Sequence, residues 1–324
     1  MNILIIGGNG YIGRHLAVRL KGYGHRISIV DNNDVPQLPT TGYSINIGDF
    51  GVVGFMNEVL KNERAELVIH AGGLSDVSDS MAAPMMYYTN NVVGNVFLID
   101  TLISNNVKKI VYISSAAVFG EQEKLPITKT SLRNPISTLG HTQMLVESML
   151  ESFRLSHNIS YAIVRAPNLA GLSENEDPYF VENFGTGLIP AIMECALGWR
   201  DHLDIYGTTY GTIDGTAERD YLHIDDFCDA CVNVLPHLEV RREKQIFNVG
   251  LGKAHSVKEV IACAEEVVGK KIKTTDSLAR EGDPSRIYCD VFEACAALDW
   301  RPKYGSLKDI IVSIWEKIKL SNKE

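Results

Sequence analysis

The 324-residue chain has little of what membranes, secretion or nucleic acids require. No run approaches the roughly 18 uninterrupted apolar residues of a membrane span. Acidic residues outnumber basic ones, 40 to 31, for a net charge of -9. That balance excludes nucleic acid or an anionic membrane as the main partner, although local donors can still hold a small anion. The opening MNILIIGGNG is apolar but has no basic n-region and no cleavage-type sequence, so it reads as a buried strand, and a cytoplasmic protein is expected. The cysteines form no framework. Only Cys228 and Cys231 share a C-x-x-C spacing, inside HIDDFCDACVNVL, whose periodicity is helical. With no second Cys/His pair nearby, they read as one buried face rather than a redox or metal site. Repeats, low-complexity tracts and flexible linkers are absent as well, so no clean domain cut is expected.

What is present is an alternation of strands and helices. NILII (2–6) is a continuous apolar run, as in a central parallel strand. A helix to about Lys21 follows, then strands at 26–30, 66–71, 108–114 and 159–164. Helical patterns fill about 84–105 and the stretch to about His157. This order predicts an α/β fold: a Rossmann-type, doubly wound parallel sheet over residues 1–166. After Arg165 the rhythm breaks into glycine-rich and acidic loops (SENEDP, GTTYGTIDGT), with helices at about 256–268, capped by Ser256, and 306–318. Residues 167–324 therefore read as a smaller α+β substrate lobe, interleaved with the first.

Between the first strand and helix stands GGNGYIG. Gly7 permits the tight turn, Gly10 lets backbone approach a pyrophosphate, and Gly13 lets helix and strand pack closely. Tyr11 and Ile12 then sit at the helix N-terminus, where N–H groups meet phosphate. The second strand ends in Asp31-Asn32. A carboxylate there accepts from ribose hydroxyls and repels a 2′-phosphate, so the cofactor expected is NAD rather than NADP.

GGNGYIGRHL and the DNN that follows resemble extended short-chain dehydrogenase/reductases, and more narrowly the UDP-glucose/UDP-galactose 4-epimerase family. The resemblance covers almost the whole chain. It assigns Asp49 and Phe50 of GDF to the adenine side, and Ala71, Gly72 and Gly73 of VIHAGGLSDVSDS to the cofactor. Asn90 of PMMYYTNNVVGN also falls on the cofactor, and Ser115 of SSAAVFG on the reaction. IYGTTYGTIDGTAERDYLHIDD is the most specific match. It implies a UDP-sugar bound by Tyr206, Arg219 and Tyr221, with Arg280 and Asp283 of REGD and with Asn168 and Leu188. Guanidinium forks suit a diphosphate because they bind bidentately. The resemblance also implies a homodimer through the helices at about 84–105 and 140–155, with Val92, Val96, Met144, Leu145 and Met149 as seam candidates that suit core burial equally.

Two groups central to that family are absent. Its members carry Tyr-x-x-x-Lys at the start of the helix after the fifth strand, and here those places hold Leu139 and Gln143 in NPISTLGHTQMLVE. In 4-epimerisation the tyrosine takes the 4-hydroxyl proton while hydride leaves C4, and the lysine lowers the tyrosine pKa. Leu139 cannot transfer a proton. Gln143 can hydrogen-bond a ribose hydroxyl but carries no charge. No tyrosine lies between Tyr112 and Tyr161, so a shifted dyad is excluded. His141, two positions from Leu139, points about 200° away on a helix, which leaves Tyr87 or Tyr210 as bases from other segments. Ser75, Ala166-Pro167 and Gly187 also depart from the family pattern. The losses gather around sugar and nicotinamide, while the nucleotide-gripping residues survive. The chain thus reads as a UDP-hexose 4-epimerase-like isomerase with a degenerate acid–base site. The alternative is an inactive NAD- and UDP-sugar-binding regulatory or scaffold protein. A 4,6-dehydratase fits poorly, because Ala116-Ala117 stand where acids would follow the serine.

Overall fold

A computed structural model describes residues 1–33, 42–173, 187–239 and 243–321. The first half runs β1 (Asn2–Ile6), α1 (Tyr11–Gly22), β2 (Arg26–Asp31), β3 (Ser44–Ile47), α2 (Val53–Glu63), β4 (Leu67–His70), α3 (Val77–Ala82) and α4 (Pro84–Tyr87). A π-helical turn (Tyr88–Val93), α5 (Gly94–Ser104), β5 (Lys109–Ser115), α6 (Thr138–His157) and β6 (Ser160–Ala166) follow. The second half runs β7 (Asn168–Ala170), α7 (Leu188–Leu197), β8 (Leu203–Tyr206), β9 (Glu218–Arg219), β10 (Tyr221–His223), α8 (Ile224–Val234) and β11 (Lys244–Asn248). It closes with β12 (His255–Ser256), α9 (Val257–Val268), β13 (Thr274–Ser277), β14 (Arg286–Ile287), α10 (Phe292–Ala297) and α11 (Leu307–Ser321).

The main sheet has seven strands in the order β11-β6-β5-β4-β1-β2-β3, every neighbouring pair parallel. Strand order reverses between β1 and β4, which opens a crevice at their carboxyl ends where ligands of such sheets bind. Ile3, Leu4 and Ile5 of β1 are wholly buried, as a strand covered on both faces requires. One apolar cluster joins α1 and α8 to one face of the sheet, and another joins α2, α5 and α6 to the opposite face. Cys228 and Cys231 lie within the first of these, and burial pushes both thiols up, away from the thiolate.

Strand β11 comes from beyond residue 167 yet completes the sheet against β6. The remaining strands form small sheets: β10-β7, β12-β9-β14 and β13-β8. They pack with α7, α9 and α11 around a separate core. Ser256 caps α9 with a full capping box to Glu259. Several features differ from the sequence expectation, among them α2 and β11, which the sequence reading did not mark. β3 is an additional strand, and the pattern at 84–105 is interrupted by the π-helical turn. Most of SENEDP lies outside the described residues. Among the described residues no helix is long and apolar enough to cross a membrane, and no group of acid, His and Cys side chains could hold a metal.

Candidate active site

The glycine loop follows β1 directly. Gly7 adopts φ +77, open to glycine at little cost, and its N–H donates to the Val30 carbonyl at 2.8 Å. A Cβ at Gly13 would overlap the Gly7 carbonyl, so that glycine sets how closely α1 approaches the loop. α1 starts with no side-chain cap and no acid in its first turn. Its positive dipole end is therefore not offset by an acid of its own first turn. The Tyr11 hydroxyl donates to the Gly171 carbonyl at 2.7 Å, tying the loop to the second lobe. Tyr11 and Ile12 are the first two residues of α1.

Asp31 lies at the mouth of this loop. One carboxylate oxygen accepts from the Asn9 N–H at 2.9 Å and the other from Asn33 N–H at 3.0 Å, with Asn32 between. Asn9, which the motif reading passes over, braces both sides, since its amide donates to the Asn33 carbonyl. Asp49 follows β3 and accepts from Gly51 N–H at 2.7 Å. Phe50 is buried, edge-on to His70 and against Gly94. An open cleft of about 860 Å³ runs from Asp49 and Gly51 past Asn90 to Val93 and Phe97.

Ala71, Gly72 and Gly73 leave β4 beside Gly7. Ala71 N–H donates to Ile6, and a Cβ at Gly7 would lie 2.5 Å from Gly72. The loop is clamped from the π-helical turn by Asn91, which accepts from Leu74 N–H and donates to the Leu74 carbonyl, both at 2.9 Å. Asn91 is a positioning residue the sequence reading missed. Its neighbour Asn90 holds a buried side-chain oxygen with no partner among the described residues.

Ser115 ends β5, its Oγ accepting from Ala117 N–H at 3.1 Å. α6 is fixed against this strand at two levels. Gly140 packs on the Ala117 carbonyl, where a Cβ would not fit. Below it, the buried Glu147 accepts from Ser114 Oγ at 2.8 Å, from Arg133 at 2.8 Å and from both ends of the Arg165 guanidinium at 2.8 and 2.7 Å. Gln143 falls one turn above Glu147, and its Oε1 is buried without a partner among the described residues. Leu139, one turn further, is 4% exposed, and its hydrogen bonds are made by backbone, the N–H donating to Ser80 Oγ at 3.1 Å and the carbonyl accepting from Thr142 Oγ1 at 2.8 Å. His141 is engaged elsewhere, its Nδ1 2.6 Å from the Tyr88 hydroxyl. The Tyr87 hydroxyl accepts from Asp76 N–H, leaving it a structural role.

On the second lobe the structure gathers Arg219, Asp283, Arg280 and Tyr206. Arg219 donates to the Glu218 carbonyl at 2.9 Å and reaches Asp283 at 3.5 Å. The Arg280 guanidinium lies 3.6 Å over the Tyr206 ring, a stacked cation–π contact. Tyr221 is placed differently. It is buried in the second core, beside Asn168 on the paired strand, with its hydroxyl pushed up to about 12 by burial. Leu188 opens α7, partly buried against the same core.

Residues 3–250 match the NAD dependent epimerase/dehydratase family. A UDP-glucose 4-epimerase of Lactobacillus helveticus is 32% identical over 318 residues, covering 98% of this chain and 96% of its own. UDP-glucose 4-epimerase 1 of Oryza sativa is 32% identical, with 97% and 93% covered. The crystal structure of UDP-glucose 4-epimerase from Bifidobacterium longum, in complex with NAD+ and UDP, superposes with a TM-score of 0.91 at 28% identity, over 100% of this chain and 99% of that one. The order of the sheet, the uncapped glycine loop and the full-length match together place this chain in the NAD dependent epimerase/dehydratase family, alongside the UDP-glucose 4-epimerases.

Proposed function

We propose that the chain binds NAD and a UDP-hexose and belongs to the 4-epimerase type, with an acid–base site that lacks its usual proton carrier. What supports this is a glycine-loop helix start with no side-chain cap on the first lobe, together with two guanidinium groups gathered with Asp283 and Tyr206 on the second. The residues fit NAD. Gly7, Gly10, Gly13, Tyr11 and Ile12 form the pyrophosphate cradle, Asp31 and Asn32 flank the ribose position, and the partnerless oxygens of Asn90 and Gln143 await donors. Asp49, Phe50, Ala71, Gly72 and Gly73 line the rest of that path. NAD bound there supplies a hydride acceptor and donor. On the sugar side Arg219 and Arg280 take the diphosphate, with Asp283, Tyr206, Asn168 and Leu188 around the nucleotide and sugar, and Tyr221 supports them from the second core. Ser115 offers its hydroxyl to the reacting sugar oxygen. Leu139 excludes water but moves no proton.

A second reading, a non-catalytic NAD- and UDP-sugar-binding protein, draws on the burial of Leu139 where a base is required. Incubating the purified protein with NAD and UDP-galactose, while following the anomeric protons by NMR, separates the two. Appearance of the C4 epimer supports the enzyme. Unchanged sugar with ligand line-broadening supports the binding protein, and no broadening refutes both.

The same reading takes residues 1–166 as the cofactor domain and 167–324 as the substrate lobe, with β11 returning to the first. It also takes the protein as a homodimer through the α5 face. Val93, Val96 and Phe97 are each at least 40% exposed there, whereas Met144 and Met149, named as seam candidates, pack on the chain's own cores.

A further inference from the structure

The loop between β8 and β9 presents one side chain that the sequence reading mentions only as a stray base. Tyr210 is held by its backbone, its N–H donating to the Gly215 carbonyl at 2.9 Å and its own carbonyl accepting from Thr212 N–H at 2.8 Å. The rest of the loop is equally fixed. Asp214 accepts from both the N–H and the hydroxyl of Thr216, and Lys258 donates to the Asp214 carbonyl. The Tyr210 ring lies across Gly207, which adopts φ +82 and leaves no room for a Cβ, and next to Ala279. Gly207 follows Tyr206, and Ala279 precedes Arg280, so the ring sits beside the stacked Tyr206–Arg280 pair. Its hydroxyl oxygen is buried and has no partner among the described residues. The charges acting on it are those of Asp283, Arg219, Glu121 and Arg280.

A buried phenol hydroxyl without a partner is unfavourable and rare unless something else completes it. Two arginines beside it call for an anion, and an anion accepts what a phenol donates. We propose that Tyr210 is a substrate-recognition residue whose hydroxyl donates a hydrogen bond to a phosphoryl oxygen of the nucleotide diphosphate held by Arg219 and Arg280. The assignment rests on the UDP-sugar reading above. Burial raises the phenol pKa, so the group stays a donor rather than becoming a second anion beside the phosphates. Tyr210 is not offered as a base, for the same reason.

The test compares the wild-type chain with Tyr210→Phe, which keeps the ring on Gly207 and Ala279. Calorimetric titrations use UDP and, as the phosphate-free probe, uridine. Loss of one charge-assisted hydrogen bond is expected to weaken UDP by about tenfold or more, with uridine changed less than about twofold. The ligand-free melting temperature should hold or rise, because the variant removes an unpaired buried hydroxyl. Equal UDP affinity in both proteins overturns the assignment alone. Equal loss for UDP and uridine overturns the phosphate as its acceptor, and a melting temperature lowered by several degrees makes Tyr210 a packing residue instead. If the wild-type chain binds no UDP, the nucleotide-sugar reading falls and this assignment with it.

Discussion

Replacing Leu139→Tyr together with Gln143→Lys asks whether a proton carrier is all that this site lacks. The helix that would carry the pair is already seated, with Gly140 on Ala117 and Glu147 on Ser114. General acid–base catalysis contributes about 10²–10⁴-fold, or roughly 3–5 kcal/mol of barrier. The substitutions cost stability. Leu139 is 4% exposed, so a tyrosine there overpacks by about 1–3 kcal/mol. The lysine introduced by Gln143→Lys would place its ammonium where the Gln143 oxygen is buried, and desolvation there lowers its pKa. The carboxylate one turn below, on Glu147, is already shared by Arg165 and Arg133. Against a total stability of about 5–15 kcal/mol the double variant should still fold. Initial rates of UDP-galactose conversion, followed by NMR with saturating NAD, should rise about 10²–10⁴-fold over the parent. Leu139→Tyr alone should gain less, since its phenol keeps a high pKa. A folded, NAD-binding double variant no faster than the parent would refute the reasoning and locate the limit in the sugar pocket.

Removing the carboxylate in Glu147→Ala strands Arg165, whose side chain is 2% exposed, as an unpaired buried charge. Urea denaturation should show a loss of about 3–5 kcal/mol, and a loss below about 1 kcal/mol would mean the network carries little. Burial lowers His70 to about 4 and His223 to about 3, so both stay neutral when folded while the unfolded chain takes up protons below about 6.5. Their contribution is complete above pH 6.5 and is lost as pH falls toward 4 and 3. Unfolding free energy should drop by up to about 1.4 kcal/mol per pH unit for each, and His70→Phe should flatten the profile. Asp31→Ser should weaken NAD by about tenfold or more while narrowing its preference over NADP, as read by calorimetry. On the homodimer proposed above, light scattering should give a dimer mass that Phe97→Glu shifts to monomer; a monomeric parent refutes the dimer, and an unchanged dimer in the variant refutes the α5 interface.

The central sheet was legible because its strands are buried on both faces and therefore read as unbroken apolar runs. β3 escaped for the opposite reason. SINI alternates polar and apolar side chains, Ile47 is exposed at the sheet's edge, and Asn46 spends its amide on the Ile29 carbonyl. The π-helical turn left no trace in composition, since it disturbs the hydrogen-bond ladder and leaves the apolar spacing nearly intact. Glycines and Asp31 announced the cofactor loop, yet Asn9 and Asn91, which hold the two loops in place, are ordinary polar residues until their partners are known. Tyr221 shows the limit of a motif. It lies two residues beyond Arg219 and thus on the same face by strand alternation, but the β10–β7 pair carries it into the second core.

That the fold accommodates Leu139 and Gln143 at the start of α6 follows from where this helix gets its position. Ser137 caps it by accepting from Gly140 N–H, Ser80 takes the Leu139 N–H, Gly140 meets Ala117, and Glu147 binds β5 and β6 through Ser114 and Arg165. None of these uses the side chains at 139 or 143. The groups that place the helix are therefore separate from the groups that would do chemistry on it. Changing the latter leaves the helix seated, and leucine, rather than a small residue, keeps the core filled. The cofactor loop and the arginine pair are anchored just as independently, by β1, β2 and β4 on one side and by β9 and the 280–283 turn on the other. On the function proposed above, such a site can exchange its proton carrier without losing its grip on ligands, so affinity for NAD and UDP and the rate of epimerisation should vary separately in this chain.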